Sequence, residues 1–121
     1  MAELKFIEAD PRKDYQQVLT DLRSGRAQLV DIREKKEWEQ NRFKCAIHVP
    51  LSDLARGAGV EILKGIKAAN KKIYLHCRSG NRVMKAKEVL AQYGCTEFTI
   101  IPITMMQMLE QGFQLAGREK S

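Results

Sequence analysis

Short β-prone segments alternate with segments of helical apolar spacing along almost the whole sequence. Strands are predicted at residues 4–7, 27–32, 46–49, 73–76 and 97–101. A parallel pair of strands needs a long crossover connection, which is usually a helix. The alternation therefore predicts an α/β domain with a mostly parallel sheet and helices on both faces. In such sheets, ligands bind at the carboxyl ends of the strands.

Residues that start and stop helices bound the helical segments. The first helix is predicted to begin at Asp10-Pro11, an N-cap followed by a first-turn proline, and to end at Gly25. Ser52 is predicted to cap a helix that begins at Asp53. Further helices are predicted at residues 34–40, 60–68, 81–93 and 105–109. With 121 residues, we expect a single domain over 1–121, with a core at about 4–113 and a polar tail at 117–121.

Composition argues against several classes of protein. The net charge is +6, but the basic residues are scattered, so we expect no nucleic-acid site. No apolar run is long enough to span a membrane and no signal-peptide pattern is present, which favours a cytoplasmic protein without a membrane segment. Three widely spaced cysteines and two histidines match neither a disulfide framework nor a metal site. We expect no cofactor.

The segment at residues 72–83 indicates where the chemistry lies. A β-prone run ends on Cys77, and a short polar loop with one glycine leads to Arg82 at the start of a predicted helix. This order directs backbone N–H groups and the positive end of a helix dipole at one point. A thiol there, beside a guanidinium, is expected to ionise more readily than a free cysteine. We interpret Cys77 as a nucleophile; the less favoured alternative is a buried structural cysteine.

Three segments of the chain resemble the single-domain rhodanese family of sulfurtransferases. Residues 29–34, followed by Glu37-Trp38, resemble a strand end with an Asp-x-Arg motif and an acidic-aromatic pair. Residues 46–51 resemble the family's second strand and its proline. The sequence CRSGNR at residues 77–82 closely resembles the active-site loop. The match extends over roughly residues 29–112 and implies a rhodanese-like three-layer fold.

The resemblance also implies a reaction in two halves. Cys77 would take the outer sulfur of thiosulfate or another persulfide donor, and an acceptor such as cyanide or a thiol, on a small molecule or a partner protein, would remove it. The loop residues expected to bind the small anionic donor are Arg78, Ser79, Gly80, Asn81 and Arg82. The residues at strand ends that are candidates for supporting the loop are Asp31, Arg33 and His76.

Protein tyrosine phosphatases and arsenate reductases also combine a cysteine, a loop of N–H donors and an arginine. Those enzymes place five residues between the cysteine and the arginine, whereas four residues separate Cys77 from Arg82. The shorter loop suits a single sulfur atom better than a tetrahedral oxyanion. A phosphatase or an arsenate reductase is therefore the less favoured interpretation.

A second hypothesis is a sulfur carrier or regulatory binding module with little small-molecule turnover. Residues 43–46 depart from the family pattern, and the methionines at residues 105–108 could form an adaptable apolar rim for a partner. Two alternatives remain open for Cys45: it is a spectator, or it resolves a Cys77 persulfide into a disulfide. Cys95 is expected to be a spectator.

Overall fold

The structure is a computed structural model that describes residues 5–6, 15–78, 81–95 and 97–117. The strands are β1 (Lys5–Phe6), β2 (Ala27–Asp31), β3 (Ala46–His48), β4 (Lys72–His76) and β5 (Thr99–Ile100). The helices are α1 (Gln16–Arg23), α2 (Lys35–Gln40), α3 (Leu51–Ala55), α4 (Val60–Ala68), α5 (Asn81–Gln92) and α6 (Met105–Glu110). Within these residues, no helix is both long enough and apolar enough to cross a bilayer.

The described strands form one parallel sheet in the order β1-β5-β4-β2-β3, with β4 at its centre. Asp31 of β2 is in register with His76 of β4 on one side and with His48 of β3 on the other. The carboxyl ends of these three strands are therefore level. The predicted α/β fold with a parallel sheet is confirmed, and Cys77 follows the central strand at the expected edge.

Two apolar clusters cover the two faces of the sheet. The side chains of β4 alternate between them, as the pleat of a strand requires. The cluster on the α5 face, which includes residues from α3, α4 and α5, contains Val30, Ile32, Val49, Leu54, Leu63, Ile73, Leu75, Cys77, Val83, Ala86 and Leu90. The cluster on the α1 face, which includes residues from α1 and α6, contains Tyr15, Val18, Leu19, Leu29, Phe43, Tyr74, Ile101, Met105, Met108 and Phe113.

Two predicted helix starts need comment. The predicted cap at Ser52 was wrong, because α3 begins at Leu51 with Pro50 at its N-cap. The Leu51 N–H donates to the Ile32 carbonyl (2.9 Å), which fixes the chain entering the helix. The Ser52 hydroxyl instead donates to Glu34 Oε1 (2.8 Å). The start predicted at Asp10-Pro11 was also wrong, because α1 begins at Gln16 with Tyr15 as its N-cap. Residues 10 and 11 themselves lie outside the described residues, as does most of the predicted polar tail.

Gly59, at the N-cap of α4, is required by close packing in the same cluster that holds Cys77. A Cβ atom at this position would lie 2.3 Å from Val49 Cγ1 and 3.2 Å from Leu54 Cδ2. Gly65, inside α4, has no such neighbour within 4 Å of its Cβ position. The two glycines therefore differ in packing although they belong to one helix.

Substitution of these glycines tests the packing of this cluster. Gly59→Ala should lower the free energy of unfolding by about 1–3 kcal/mol, because the added methyl group overpacks a closed site. Gly65→Ala should raise it by about 0.5–1 kcal/mol, because alanine is the better helix former. Urea unfolding of both variants measures the difference. Equal stability of the two variants would contradict the packing described for Gly59.

Candidate active site

Cys77 directly follows β4, and its side chain is fully buried. It shares the apolar cluster of the α5 face with Val83 and Ala86, which lie on the helix after the loop. The next residue, Arg78, is exposed, and its carbonyl accepts a hydrogen bond from the Met105 N–H (3.0 Å) at the start of α6. The first residues of the loop are therefore held between the central strand and α6.

The remaining loop residues lead into α5. Asn81, which is exposed, and Arg82, which is half-buried, are the first two residues of this twelve-residue helix. Ser79 and Gly80, also predicted to bind the donor, lie outside the described residues. The predicted order of strand, loop and helix is present, and the positive end of the α5 dipole lies next to the loop.

Arg82 is paired with Glu37 of α2. Its Nη2 donates to Glu37 Oε2 (2.8 Å) and its Nη1 donates to Oε1, which makes a bidentate ion pair between α2 and α5. Glu37 Oε1 also accepts the Glu34 N–H (3.1 Å) in the capping box of α2. The hydrogen bonds from Arg82 lower the pKa of Glu37 to about 2. The Arg82 guanidinium also interacts electrostatically with Cys77.

His76 is fully buried on the face opposite the Cys77 side chain, with its ring edge-on to Phe43. Its Nδ1 lies 3.4 Å from the Cys77 carbonyl oxygen. Among the described residues, Nε2 has no hydrogen-bond partner, and Asp31 Oδ2 lies 3.7 Å away. Burial lowers the pKa of His76 to about 4, against the opposing effect of Asp31. The ring is therefore uncharged at neutral pH and adds no positive charge beside Cys77.

Asp31 and Arg33 form a buried ion pair at the end of β2. Arg33 Nε donates to both carboxylate oxygens (3.0 Å each), Nη2 donates to Oδ2 (2.8 Å), and the Arg33 N–H donates to Oδ1 (2.9 Å). Arg33 Nη1 also donates to Asn41 Oδ1 (3.1 Å) at the C-cap of α2. Arg33 therefore bonds to α2, and Asp31 Oδ2 lies 3.7 Å from Nε2 of His76, the residue before Cys77, so the pair can support the loop both through α2 and through His76.

Aromatic stacking fixes the other side of α2. Trp38 stacks on His48 of β3, with ring centroids 4.8 Å apart, and the Arg42 guanidinium lies 4.9 Å from the Trp38 ring centroid. His48 Nε2 lies 2.7 Å from the Arg33 carbonyl oxygen. These groups line a surface cavity of about 560 Å³, to which none of the described loop residues contributes. As far as the described residues show, the cavity and the Cys77 loop share no lining residue.

The other two thiols lie in different places: Cys45 is at the surface, and Cys95 is in the apolar cluster that also contains Cys77. Cys45 is exposed and precedes β3, at the amino end of the strand. By the register of the strands, it is level with Ile73, four residues before Cys77, a distance of about 13 Å along the sheet. Of the two alternatives for Cys45, the one in which it resolves a Cys77 persulfide into a disulfide within the same chain is therefore wrong. Cys95 is buried in the core, and this burial raises the pKa of its thiol.

Two residues of the site had no role predicted from sequence. Glu37 was noted only as part of the acidic-aromatic pair, yet its position three residues after Glu34 is the spacing of a capping box. That spacing indicates the cap but not the partner, because Arg82 lies 45 residues further along the chain. No sequence pattern near Asn41 indicates its role, because Asn41 accepts a hydrogen bond from Arg33 only where the fold brings the two side chains together.

The chain is similar to known proteins. A family model described as Rhodanese-like domain matches residues 14–114. The uncharacterized protein YqhL of Bacillus subtilis is 34% identical over 79 residues, which cover 64% of this chain and 58% of YqhL. The thiosulfate sulfurtransferase PspE of Escherichia coli is 25% identical over 67 residues, 55% of this chain and 61% of PspE. The chain therefore spans about three fifths of these two relatives.

A solved structure shows the same fold. A human single-domain sulfurtransferase superposes with a TM-score of 0.63 at 22% sequence identity, over 85% of this chain and 98% of that chain. At this level of identity, the likeness concerns the arrangement of helices and strands.

The buried His76 predicts a loss of stability in mild acid. Its folded-state pKa of about 4 lies below the unfolded value of 6.5, so the unfolded chain binds the proton first as the pH falls. Between pH 6.5 and pH 4.5 the free energy of unfolding should therefore fall by about 2–3 kcal/mol, a loss that His76→Leu removes. Urea unfolding at several pH values measures the slope.

The other histidine provides the control for this slope. His48 is half-buried and sits at the edge strand, so His48→Leu should retain the pH dependence even if it lowers stability at every pH. A slope that persists in His76→Leu, or that disappears in His48→Leu instead, would contradict a neutral buried His76.

Proposed function

The chain belongs to the rhodanese-like domain family, and on that premise we propose that it is a sulfurtransferase in which Cys77 carries the transferred sulfur. The observation that best supports this proposal is the position of Cys77. It ends the central strand of a parallel sheet, directly before a loop that leads to Arg82 at the start of α5. A strand end followed by a helix N-terminus suits the binding of an anion beside the thiol.

The proposed first half-reaction loads Cys77 with sulfur. The Cys77 thiolate attacks the outer sulfur of thiosulfate, a bond forms between the two sulfur atoms, and the S–S bond of the donor breaks. Sulfite leaves with the electron pair of that bond, and Cys77 becomes a persulfide. No oxidant or reductant is consumed, because the sulfane sulfur only changes its partner.

The proposed second half-reaction restores the thiol. Cyanide or the thiolate of an acceptor attacks the terminal sulfur, and the persulfide bond breaks. The products are thiocyanate or an acceptor persulfide, and the Cys77 thiolate keeps the electron pair. Since the donor product leaves before the acceptor reacts, the kinetics should be ping-pong.

The proposed roles of the neighbouring residues follow from charge and exposure. Arg78 is exposed at the beginning of the loop and can attract an anionic donor. Asn81 presents its backbone at the first turn of α5, where N–H groups have no partner within the helix. Arg82 provides positive charge that acts on Cys77. Ser79 and Gly80 keep their proposed place in the donor-binding loop.

A second candidate function is a sulfur carrier that delivers its sulfur to a partner protein. Met106 is 69% exposed on α6, directly after the residue whose N–H bonds to the Arg78 carbonyl. An apolar side chain so close to the loop suits contact with a protein better than contact with a small anion. The carrier shares the Cys77 persulfide with the enzyme and differs in turning over small acceptors slowly.

Intact mass spectrometry tests the Cys77 persulfide. After incubation with thiosulfate, the protein should gain one sulfur atom, about 32 Da, on a cysteine thiolate. Cyanide should remove the added mass, and Cys77→Ser should not acquire it. Cys45→Ser and Cys95→Ser are the matched controls and should gain the sulfur as the unmodified protein does.

The same experiment separates the candidate functions. Rapid loss of the added mass with cyanide supports the enzyme, whereas a stable persulfide that only a partner protein discharges supports the carrier. No gain with thiosulfate or with an organic persulfide would refute both. Hydrolysis of an aryl phosphate by the protein, lost in Cys77→Ser, would favour the phosphatase interpretation.

A further inference from the structure

One of the two cations expected to bind the sulfur donor, Arg82, is already paired. Arg82 directs two of its N–H groups at the Glu37 carboxylate, and both side chains are largely shielded from solvent, at 34% and 21% exposed. Arg82 and Glu37 together carry no net charge. An anion that approaches Cys77 therefore meets a neutral pair rather than a free guanidinium.

Glu37 is also ionised and held in place by its own helix. Its pKa of about 2 keeps it charged throughout the neutral range. The capping-box hydrogen bond from the Glu34 N–H fixes the carboxylate at the first turn of α2, so it cannot turn away from Arg82 without losing that bond. Glu34 itself adds a second negative charge that acts on Arg82.

The remainder of α2 is anchored on two sides. Asn41 at its C-cap is bonded by the buried Arg33, and Trp38 stacks on His48 of the edge strand. A donor that competes for Arg82 would have to displace Glu37 from a helix that is itself held in position. A carboxylate that is held rigidly in place has a large and specific electrostatic effect on a charged ligand that binds beside it.

Resting on the proposed function, we propose that Glu37 is a specificity-determining residue for the sulfur donor. By neutralising Arg82, it weakens the binding of dianions such as thiosulfate and favours donors that carry at most one negative charge, the class of organic persulfides. With a donor R–S–S–H, the Cys77 thiolate attacks the outer sulfur, the S–S bond breaks, and the leaving thiolate R–S⁻ takes up a proton from water.

Binding to protein that cannot turn over tests this selectivity. In the Cys77→Ser background, Glu37→Gln should tighten thiosulfate binding about tenfold, since a freed guanidinium forms charge-assisted bonds with the dianion. Glutamine can still accept the capping hydrogen bond, so α2 is kept. Methanethiosulfonate has the same kind of outer sulfur and one negative charge fewer, so Glu37→Gln should raise its affinity only about threefold. NMR-monitored titrations give the four dissociation constants.

Two further variants distinguish this effect from simpler causes. Glu39→Gln makes the same change in net charge on the same helix, but Glu39 is exposed and paired with Lys35, so thiosulfate affinity should stay within twofold of its parent. Glu37→Asp retains the charge and should keep the thiosulfate affinity within about threefold of the parent. The amide spectra of all variants report whether the fold is intact.

Three outcomes would overturn the proposal. The first is a thiosulfate affinity that does not change in Glu37→Gln. The second is an equal rise in affinity for thiosulfate and methanethiosulfonate in that variant. The third is a rise in thiosulfate affinity in Glu39→Gln as large as the rise in Glu37→Gln. Since the titrations use protein without the Cys77 thiol, their result does not depend on sulfur transfer. Failure of Cys77 to gain sulfur would refute the proposed function, whereas the affinity ratio alone decides the role of Glu37.

Discussion

The buried ion pair between Asp31 and Arg33 is the interaction on which the geometry of the site depends. Two charges at the end of β2 can be buried because both carboxylate oxygens are bonded and the guanidinium also reaches Asn41 at the end of α2. Removing one partner from such a pair leaves an uncompensated buried charge, which costs about 3–5 kcal/mol. The pair determines where α2 lies, and α2 in turn places Glu37 against Arg82.

The central strand directs the side chains of the adjacent residues His76 and Cys77 to opposite faces of the sheet. Because side chains alternate along β4, His76 points into the α1 face, whereas Cys77 joins the cluster on the α5 face. The imidazole is neutral, and its Nδ1 lies near the carbonyl oxygen of Cys77. Positive charge near the thiol therefore comes from the N-terminus of α5 and from Arg82, and the charge of Arg82 is paired with Glu37 of α2.

The parts of the site that could be predicted are those encoded locally. The spacing of apolar residues predicts the alternation of strands and helices, and the Cys77 loop is a continuous run of six residues. Both could therefore be recognised from the sequence alone. The pairing of Glu37 with Arg82 spans 45 residues and depends on strand order, which no local pattern contains. The charge state of His76 depends on its burial in the fold. The cap predicted at Ser52 was wrong because Pro50 and the hydrogen bond from the Leu51 N–H to the Ile32 carbonyl fix the N-cap two residues earlier.

The two roles of Glu37 can be distinguished by asking what each requires. Capping the first turn of α2 requires an acceptor at the third helical position, which glutamine provides as well as glutamate. Pairing with Arg82 uses the negative charge, and the structure shows that charge directed at a loop cation that interacts with Cys77. The charge is therefore not needed to form α2, and its consequence is the electrostatic potential at the thiol. An arginine in a loop of this kind indicates an anion site, but its partner determines how much negative charge the site will accept.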